Sequence, residues 1–318
     1  MAKKETDFDF IIIGAGGAGL AAAMYGARLG IKTLCLGHSH GSEMPLGGVI
    51  TTTNIVENYP GFIRLTGTEL ADKIREHAQS YPEVTLKEEK AELVERQGNL
   101  FKVKTSESTY NGKTILFATG TKWKKLEVPG ALEYENKGVA YCSLCDAPFY
   151  KNKIVAVVGG SDSAVKDAMV VAEHAKKVYI IYRGEKIRPE PINYERIMKN
   201  KKIEIINNTN ITEIKGKQFV ERVVLDKPYN GSNELELQGV FIAIGHIIIS
   251  DLAKSLGVKT NEKSEIILDH KTSETNIPGV FAAGDVTDKP FKQLITGVAD
   301  GCTAAFSAYE YISKNNLK

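Results

Sequence analysis

The sequence is short of several things, and each shortage excludes a class of protein. Its 318 residues hold only four cysteines, too few for the disulfide framework of a small secreted domain. No charge of one sign dominates: 41 Lys and Arg stand against 39 Asp and Glu, a net charge of +2. Nucleic acid or an anionic membrane as the main partner therefore has no electrostatic basis. Long apolar runs are scarce too. Phe10 to Ala27 carries no charge, which reaches the ~18 residues of a membrane span. With Lys3 and Lys4 ahead of it, the segment also has the outline of a signal peptide. Glu5, Asp7 and Asp9 crowd the positive region, however, and glycines at 14, 16, 17 and 19 interrupt the run. A strand, a glycine turn and a helix fit it better, and a cytoplasmic protein without a membrane segment is expected. Low-complexity segments and short repeats are lacking as well.

What is present describes a folded α/β protein. Hydrophobic residues make up 42% and charged residues 25%, enough for a large core and too balanced for disorder. At ~100–200 residues per domain the length suggests two domains or three. Gly is abundant at 29, a first sign of tight backbone turns around a ligand.

Phe8 to Ile13 is apolar and largely β-branched, suited to a buried parallel strand. A glycine turn follows, then an alanine-rich helix to about Leu29 and a strand from Ile31 to Leu36. Thr66 and Glu69 have the spacing of a capping box, opening a helix through Leu70, Ile74 and Ala78. Residues 84–117 read as short strands with a turn at Asn111-Gly112. The pattern then restarts: a strand at Ile154 to Val158, a turn at Gly159-Gly160-Ser161-Asp162-Ser163-Ala164, a helix to Ala175 and a strand at Val178 to Tyr182. A strand from Val280, Gly284-Asp285 and a helix from about Gln293 to Ile312 close the chain. The repeated strand–glycine–helix unit implies two dinucleotide domains.

Gly14, Gly16 and Gly19 form G-x-G-x-x-G between a strand and a helix. The first permits the tight turn, the second lets backbone approach a pyrophosphate, and the third lets helix and strand pack closely. The acidic residue that normally ends the second strand and binds ribose is missing. Gly37 holds its place, followed by His38, His40 and Glu43, of which Glu43 is the candidate substitute from the loop. The two histidines lack the Cys or carboxylate cluster of a metal site.

Cys142-Ser143-Leu144-Cys145-Asp146 is the most informative pentapeptide. Two cysteines so spaced can close a small redox disulfide when one sits at a helix start. A structural zinc would need a second ligand pair, and Cys35 and Cys302 are single, in apolar strand and helix contexts. A dithiol that cycles during catalysis remains, with Asp146 as proton donor or acceptor.

These features together resemble the low-molecular-weight thioredoxin reductases. Supporting stretches are Gly47 to Thr53, Val56 to Gly61, Ala118-Thr119-Gly120, Ala243 to His246 and Gly279 to Val286. The resemblance implies two Rossmann-like domains of three-layer β/β/α build, one inserted in the other. A discontinuous FAD domain would span 1–117 plus 246–318, and an NADPH domain 118–245. It implies a homodimer, and a domain rotation that lets nicotinamide and the Cys pair take turns at one flavin face. Cys145 would face the flavin, Cys142 would attack the disulfide of a thioredoxin-like or glutaredoxin-like protein, and Asp146 would be the acid–base group. FAD contacts carry over to Gly14, Gly16, Gly19, Asn58, Asp285 and Gln293. Nucleotide contacts carry over to Gly159, Gly160, Ser163, Arg183 and Arg188.

The second nucleotide site departs from the family. Ser161 stands where a third glycine is usual, and Tyr182-Arg183-Gly184 replaces His-Arg-Arg. One arginine of the 2′-phosphate clasp is gone, while Arg183 and Arg188 retain forks that suit phosphate. NADPH is expected, with NADH as the alternative. Ile248 and Lys292 replace a usual Pro and Arg. Other readings are a disulfide reductase fed by ferredoxin or reduced flavin, a dithiol oxidase, and a non-catalytic redox sensor.

Overall fold

The computed structural model describes residues 7–39 and 46–317. The chain divides into two compact units, Met1–Lys122 with Ile248–Lys318, and Trp123–Ile247. The first stretch runs β1 (Phe8–Ile13), α1 (Gly17–Arg28), β2 (Thr33–Gly37), α2 (Gly67–Gln79), β3 (Val84–Glu88), β4 (Ala91–Gln97), β5 (Leu100–Thr105) and β6 (Thr109–Phe117). A short β7 (Thr121–Trp123) precedes β8 (Val139–Ala140), α3 (Ser143–Asp146), β9 (Ile154–Val158), α4 (Asp162–His174), β10 (Lys177–Ile181) and α5 (Pro191–Met198). Next come β11 (Ile203–Ile206), β12 (Ile211–Gly216), β13 (Val220–Tyr229), β14 (Ser232–Glu236), β15 (Gly239–Ile242) and β16 (His246–Ile248). The last stretch holds α6 (Asp251–Ser255), β17 (Val280–Ala282) and α7 (Leu294–Lys314).

In the first unit the sheet order is β3-β2-β1-β6-β5-β4, with β17 also on β6. The strands β3, β2, β1 and β6 are parallel, as βαβ crossovers require. Alternate residues of β1 explain its apolar run from Phe10 to Ile13. Phe10 and Ile12 pack under α1 and α7, against Leu20, Ala22, Ala304 and Ala308. Ile11 and Ile13 point to the other face, towards Phe101, Val103 and Ile266. Both faces are covered, so no polar residue is tolerated at the centre of the strand.

The second unit repeats this plan. Its parallel sheet has the order β11-β10-β9-β15-β8. Val155, Val157, Val178 and Ile180 meet α4 through Val165, Ala168 and Val171. Ala156, Val158, Ile181 and Ile242 meet the antiparallel β12-β13-β14 sheet through Ile211, Ile214 and Val223. Each unit is thus a Rossmann-type domain with helices on one face of its parallel sheet. No helix among the described residues is long and apolar enough to cross a membrane.

The capping box at Thr66 forms as its spacing predicts: Thr66 Oγ1 accepts from Glu69 N–H at 3.1 Å, and Glu69 accepts from Thr66 N–H at 2.8 Å. The turn expected at Asn111-Gly112 does not form, because both residues lie inside β6. Asn111 is held instead by Asp7, whose Oδ2 accepts its backbone N–H at 2.8 Å. Gly112 is glycine for packing: a Cβ there would lie 2.7 Å from Ile11 Cδ1.

Candidate active site

The first glycine turn joins β1 to α1. Gly14 has φ +116°, and a Cβ on it would lie 2.2 Å from the Ala118 carbonyl oxygen at the end of β6. Gly19 is equally forced, since its Cβ would collide with the Gly14 oxygen at 1.8 Å. Gly16 differs. The nearest atom to a Cβ there is 3.8 Å away, and Gly16 caps α1 with no side chain on the helix N–H groups. Those donors, at the positive end of the helix dipole, are left for an anion. The residues present therefore fit a pyrophosphate.

Other expected flavin residues converge in this unit. Asn58 Nδ2 donates to Gln293 Oε1 at 3.1 Å, joining positions 235 apart in sequence. Asp285 lies in a 3-10 turn, Gly284–Val286, just after β17. Lys292, in place of the usual Arg, fixes that turn. Its Nζ donates to the Asp285 oxygen at 2.9 Å and the Thr287 oxygen at 2.5 Å, and pairs with Glu265 at 2.8 Å. Burial raises the Glu265 carboxyl, but hydrogen bonds from Asn261 and Lys292 outweigh it and leave the pKa lowered.

At the end of β2 the missing acid has a structural explanation. A Cβ on Gly37 would lie 2.5 Å from both Ala15 Cβ and Leu46 Cδ2. A carboxylate comes instead from the neighbouring strand, where Glu88 pairs in register with Gly37 and accepts from Ser39 Oγ at 2.9 Å. His40 and Glu43 lie outside the described residues. Among the described residues no cluster of three or more His, Cys, Asp or Glu is placed to hold a metal ion.

The Cys pair sits in the second unit. Cys142 and Cys145 form a disulfide across the single turn of α3. Cys142 caps that turn: its sulfur accepts from the Cys145 N–H at 3.2 Å. Cys142 is buried at 6% exposure while Cys145 is exposed. Asp146 follows, its N–H donating to the Cys142 oxygen at 3.1 Å, and burial raises its carboxyl above the ordinary range. Burial, helped by the Asp146 charge, also pushes the Tyr150 phenol up to about 12. Phe149, between them, is 74% exposed. The remaining cysteines are unpaired; burial pushes the Cys35 thiol up to about 12, which keeps it an inert thiol, and raises that of half-buried Cys302.

The second glycine turn joins β9 to α4. Gly159 repeats the role of Gly14, with φ +145° and a would-be Cβ 2.2 Å from the Ala243 oxygen. Gly160 packs against Tyr182, whose ring would lie 2.4 Å from a Cβ. The same ring leaves no room at Gly184, where a Cβ would come within 2.6 Å. Ser161 caps α4, its Oγ accepting from Ala164 N–H at 3.5 Å, and Ser163 lies exposed in the first helical turn. Arg188 N–H donates to the Gly160 oxygen at 2.6 Å, which brings the exposed Arg188 to the turn. Arg183 is exposed one residue beyond Tyr182.

A family model for pyridine nucleotide-disulphide oxidoreductases matches residues 8–301. A thioredoxin reductase of Listeria innocua is 37% identical over 317 residues, covering 99% of this chain and 97% of the relative. The crystal structure of Lactococcus lactis thioredoxin reductase superposes with a TM-score of 0.90 at 37% identity, covering 97% of this chain and all of that one. The crystal structure of T. acidophilum thioredoxin reductase gives 0.89 at 36% identity, covering 99% of this chain and all of that one.

Proposed function

Because the chain belongs to the pyridine nucleotide-disulphide oxidoreductase family, we propose that it is a flavin-dependent thioredoxin-disulfide reductase. Its coenzymes in this reading are FAD and NADPH. The observation that carries it is the disulfide of Cys142 and Cys145, set at a helix start beside Asp146, on a dinucleotide-type domain. FAD belongs to the first unit, held by Gly14, Gly16 and Gly19 at the pyrophosphate and by Asn58, Asp285 and Gln293. Glu88 takes the ribose role that Gly37 cannot. NADPH belongs to the second unit, at Gly159, Gly160 and Ser163, with Arg183 and Arg188 on the 2′-phosphate.

FAD supplies two-electron transfer from the nicotinamide to a disulfide. This chain's residues direct it. In this reading Cys145, the exposed sulfur, would take electrons from bound FAD, and Cys142 would become the thiolate that attacks the disulfide of a thioredoxin-like or glutaredoxin-like protein. The Cys145 N–H bond to the Cys142 sulfur supports that assignment, since it favours charge on Cys142. A mixed disulfide forms, one target sulfur leaves, and Asp146 protonates it. Cys145 then displaces the second target sulfur and restores the pair. The raised Asp146 carboxyl holds its proton to higher pH than an ordinary carboxyl, as a proton donor needs. Exposed Phe149 offers an apolar contact for the protein substrate. A cytoplasmic homodimer completes the reading.

The test is a pair of substitutions. Cys142→Ser and Cys145→Ser should each abolish NADPH-driven thioredoxin reduction while leaving one FAD per chain. Only Cys142→Ser, which keeps Cys145, should show a perturbed flavin spectrum. Equal, unperturbed spectra in both overturn the assignment, and a protein that takes up no FAD ends the reading.

A second reading has a different electron donor, NADH, ferredoxin or reduced flavin. The observation favouring it is the second turn, where the Ser161 hydroxyl meets a helix N–H and the Tyr182 ring lies on Gly160. Stopped-flow flavin reduction by NADPH and NADH in parallel separates the two.

A further inference from the structure

Ser143, between the two cysteines, is 4% exposed. A hydroxyl so buried needs a partner, and Ser143 Oγ donates to Asp167 Oδ1 at 2.5 Å. Asp167 comes from the second turn of α4, on the helix that opens with the glycine turn. The bond therefore ties the loop that carries the disulfide to the main helix of its domain. Asp146 is the carboxyl adjacent in sequence to the pair; Asp167 is a second carboxyl, brought there by the fold.

We propose that Asp167 is a positioning residue of the redox pair: through Ser143 it fixes the first turn after Cys142, and its carboxylate sets a negative charge against the thiolate that reduction creates. The proposal rests on the reading of Cys142 and Cys145 as the redox pair. Reduction breaks the Cys142–Cys145 bond as two electrons arrive from the coenzymes. One proton is taken up, and a thiol and a thiolate result. A carboxylate nearby disfavours the thiolate and raises its apparent pKa.

Among the described residues no Lys, Arg or His forms an ion pair with that charge. The elements packed on α4 are α3, the 3-10 turn Ala147–Tyr150, α5, β9, β10 and β11. Lys166 on α4 pairs with Asp162, and Lys177 on β10 pairs with Glu204 on β11. Asp146 and Tyr150 on the Cys side, Tyr194, Glu195 and Arg196 on α5, Tyr179 on β10, and Glu173 and His174 on α4 complete the titratable groups of these elements. Asp167 has the Ser143 hydroxyl as its bond, and burial pushes its carboxyl up to about 6 against that bond. Asp167 thus holds its proton to higher pH than an ordinary carboxyl, and its charge responds to its neighbours.

The test uses the full-length protein, reduced with a phosphine, and follows iodoacetamide alkylation of Cys142 and Cys145 by mass spectrometry across the range in which thiols titrate. Asp167→Asn keeps an acceptor for Ser143 but removes the charge. The apparent pKa of the more reactive thiol should fall by about half a unit or more, the field of a carboxylate a few side chains away at an effective dielectric near 20. Ser143→Ala removes the bond that favours ionised Asp167, so the same pKa should fall by less. Combining the two should add nothing to Asp167→Asn alone. A profile unchanged in Asp167→Asn, or additive shifts in the double variant, overturns the proposal. If Asp167→Asn does not fold, an unchanged Ser143→Ala profile overturns it as well. Because alkylation needs neither coenzyme nor thioredoxin, an enzyme that shows these shifts but reduces no thioredoxin refutes the functional reading alone.

Discussion

The two glycine turns share a backbone plan and differ in what they leave open. Gly14 and Gly159 both take positive φ, and a Cβ on either would lie 2.2 Å from a carbonyl oxygen. The difference comes two residues on. Gly16 leaves the first N–H groups of α1 without a side-chain partner, whereas Ser161 turns its hydroxyl onto Ala164 N–H. Around them, Gly16 has space, while Gly160 is covered by Tyr182. One turn keeps its donors for a ligand, and the other partly satisfies itself. The lesson is that one strand–turn–helix topology sets where a phosphate can bind, while single side chains set how much of the helix end it can use.

Gly14→Ala should give the largest effect. A positive φ costs an ordinary residue ~1–3 kcal/mol before the collision with Ala118 is counted. The variant should purify without yellow colour and unfold at a lower temperature, and retained flavin with unchanged unfolding would break the comparison at its root. Gly16→Ala sharpens it. The Cβ meets nothing closer than 3.8 Å, so the apoprotein should unfold as the parent does. FAD affinity, measured by fluorescence, should still fall at least about tenfold, because the methyl keeps the pyrophosphate from helix donors whose charge-assisted bonds are each worth ~1.5–3 kcal/mol.

In the second unit the expected effects are smaller. Arg188→Ala should raise the NADPH Michaelis constant by about tenfold, the value of one hydrogen bond to a charged group, and leave that for NADH nearly unchanged. Equal changes for both nucleotides would remove Arg188 from the 2′-phosphate. Gly184→Arg, which restores the family's residue, should by itself do least, since its Cβ would meet the Tyr182 ring at 2.6 Å. Combined with Tyr182→Ala it should sharpen the NADPH preference in steady-state kinetics. A gain from Gly184→Arg alone would mean that Tyr182 yields easily and does not narrow this turn.

Features written in adjacent residues were legible: both strand–glycine–helix units, the Thr66 capping box, and the Cys142–Cys145 pair. What escaped depends on contacts between distant segments. Asn111-Gly112 has the composition of a hairpin turn, yet Asp7 and Ile11 across the sheet hold it in β6. Glu88 lies beside Gly37 through strand register, which no local pattern reveals. Ser143 reads as a spacer between two cysteines until α4 brings Asp167 to it. The alternatives for the electron donor stayed open for the same reason: the Tyr182 ring covers two glycines, 22 residues before it and two after it, that only the folded chain brings together.

Strand β6 divides its edge between two partners. Phe101 to Lys104 pair antiparallel with its first half, and Val280 to Ala282 pair parallel with its last residues. The second partner follows all of Trp123–Ile247 in the chain and is synthesised after it. During synthesis the inserted domain is therefore complete while its host still lacks a strand and α7, the helix that packs against α1. Domains tend to fold as units while the chain emerges, so the guest can fold first. Its folding gathers the chain between Phe117 and Val280, shortening the loop that the host must close. In that order of events the later-synthesised domain helps to complete the earlier one.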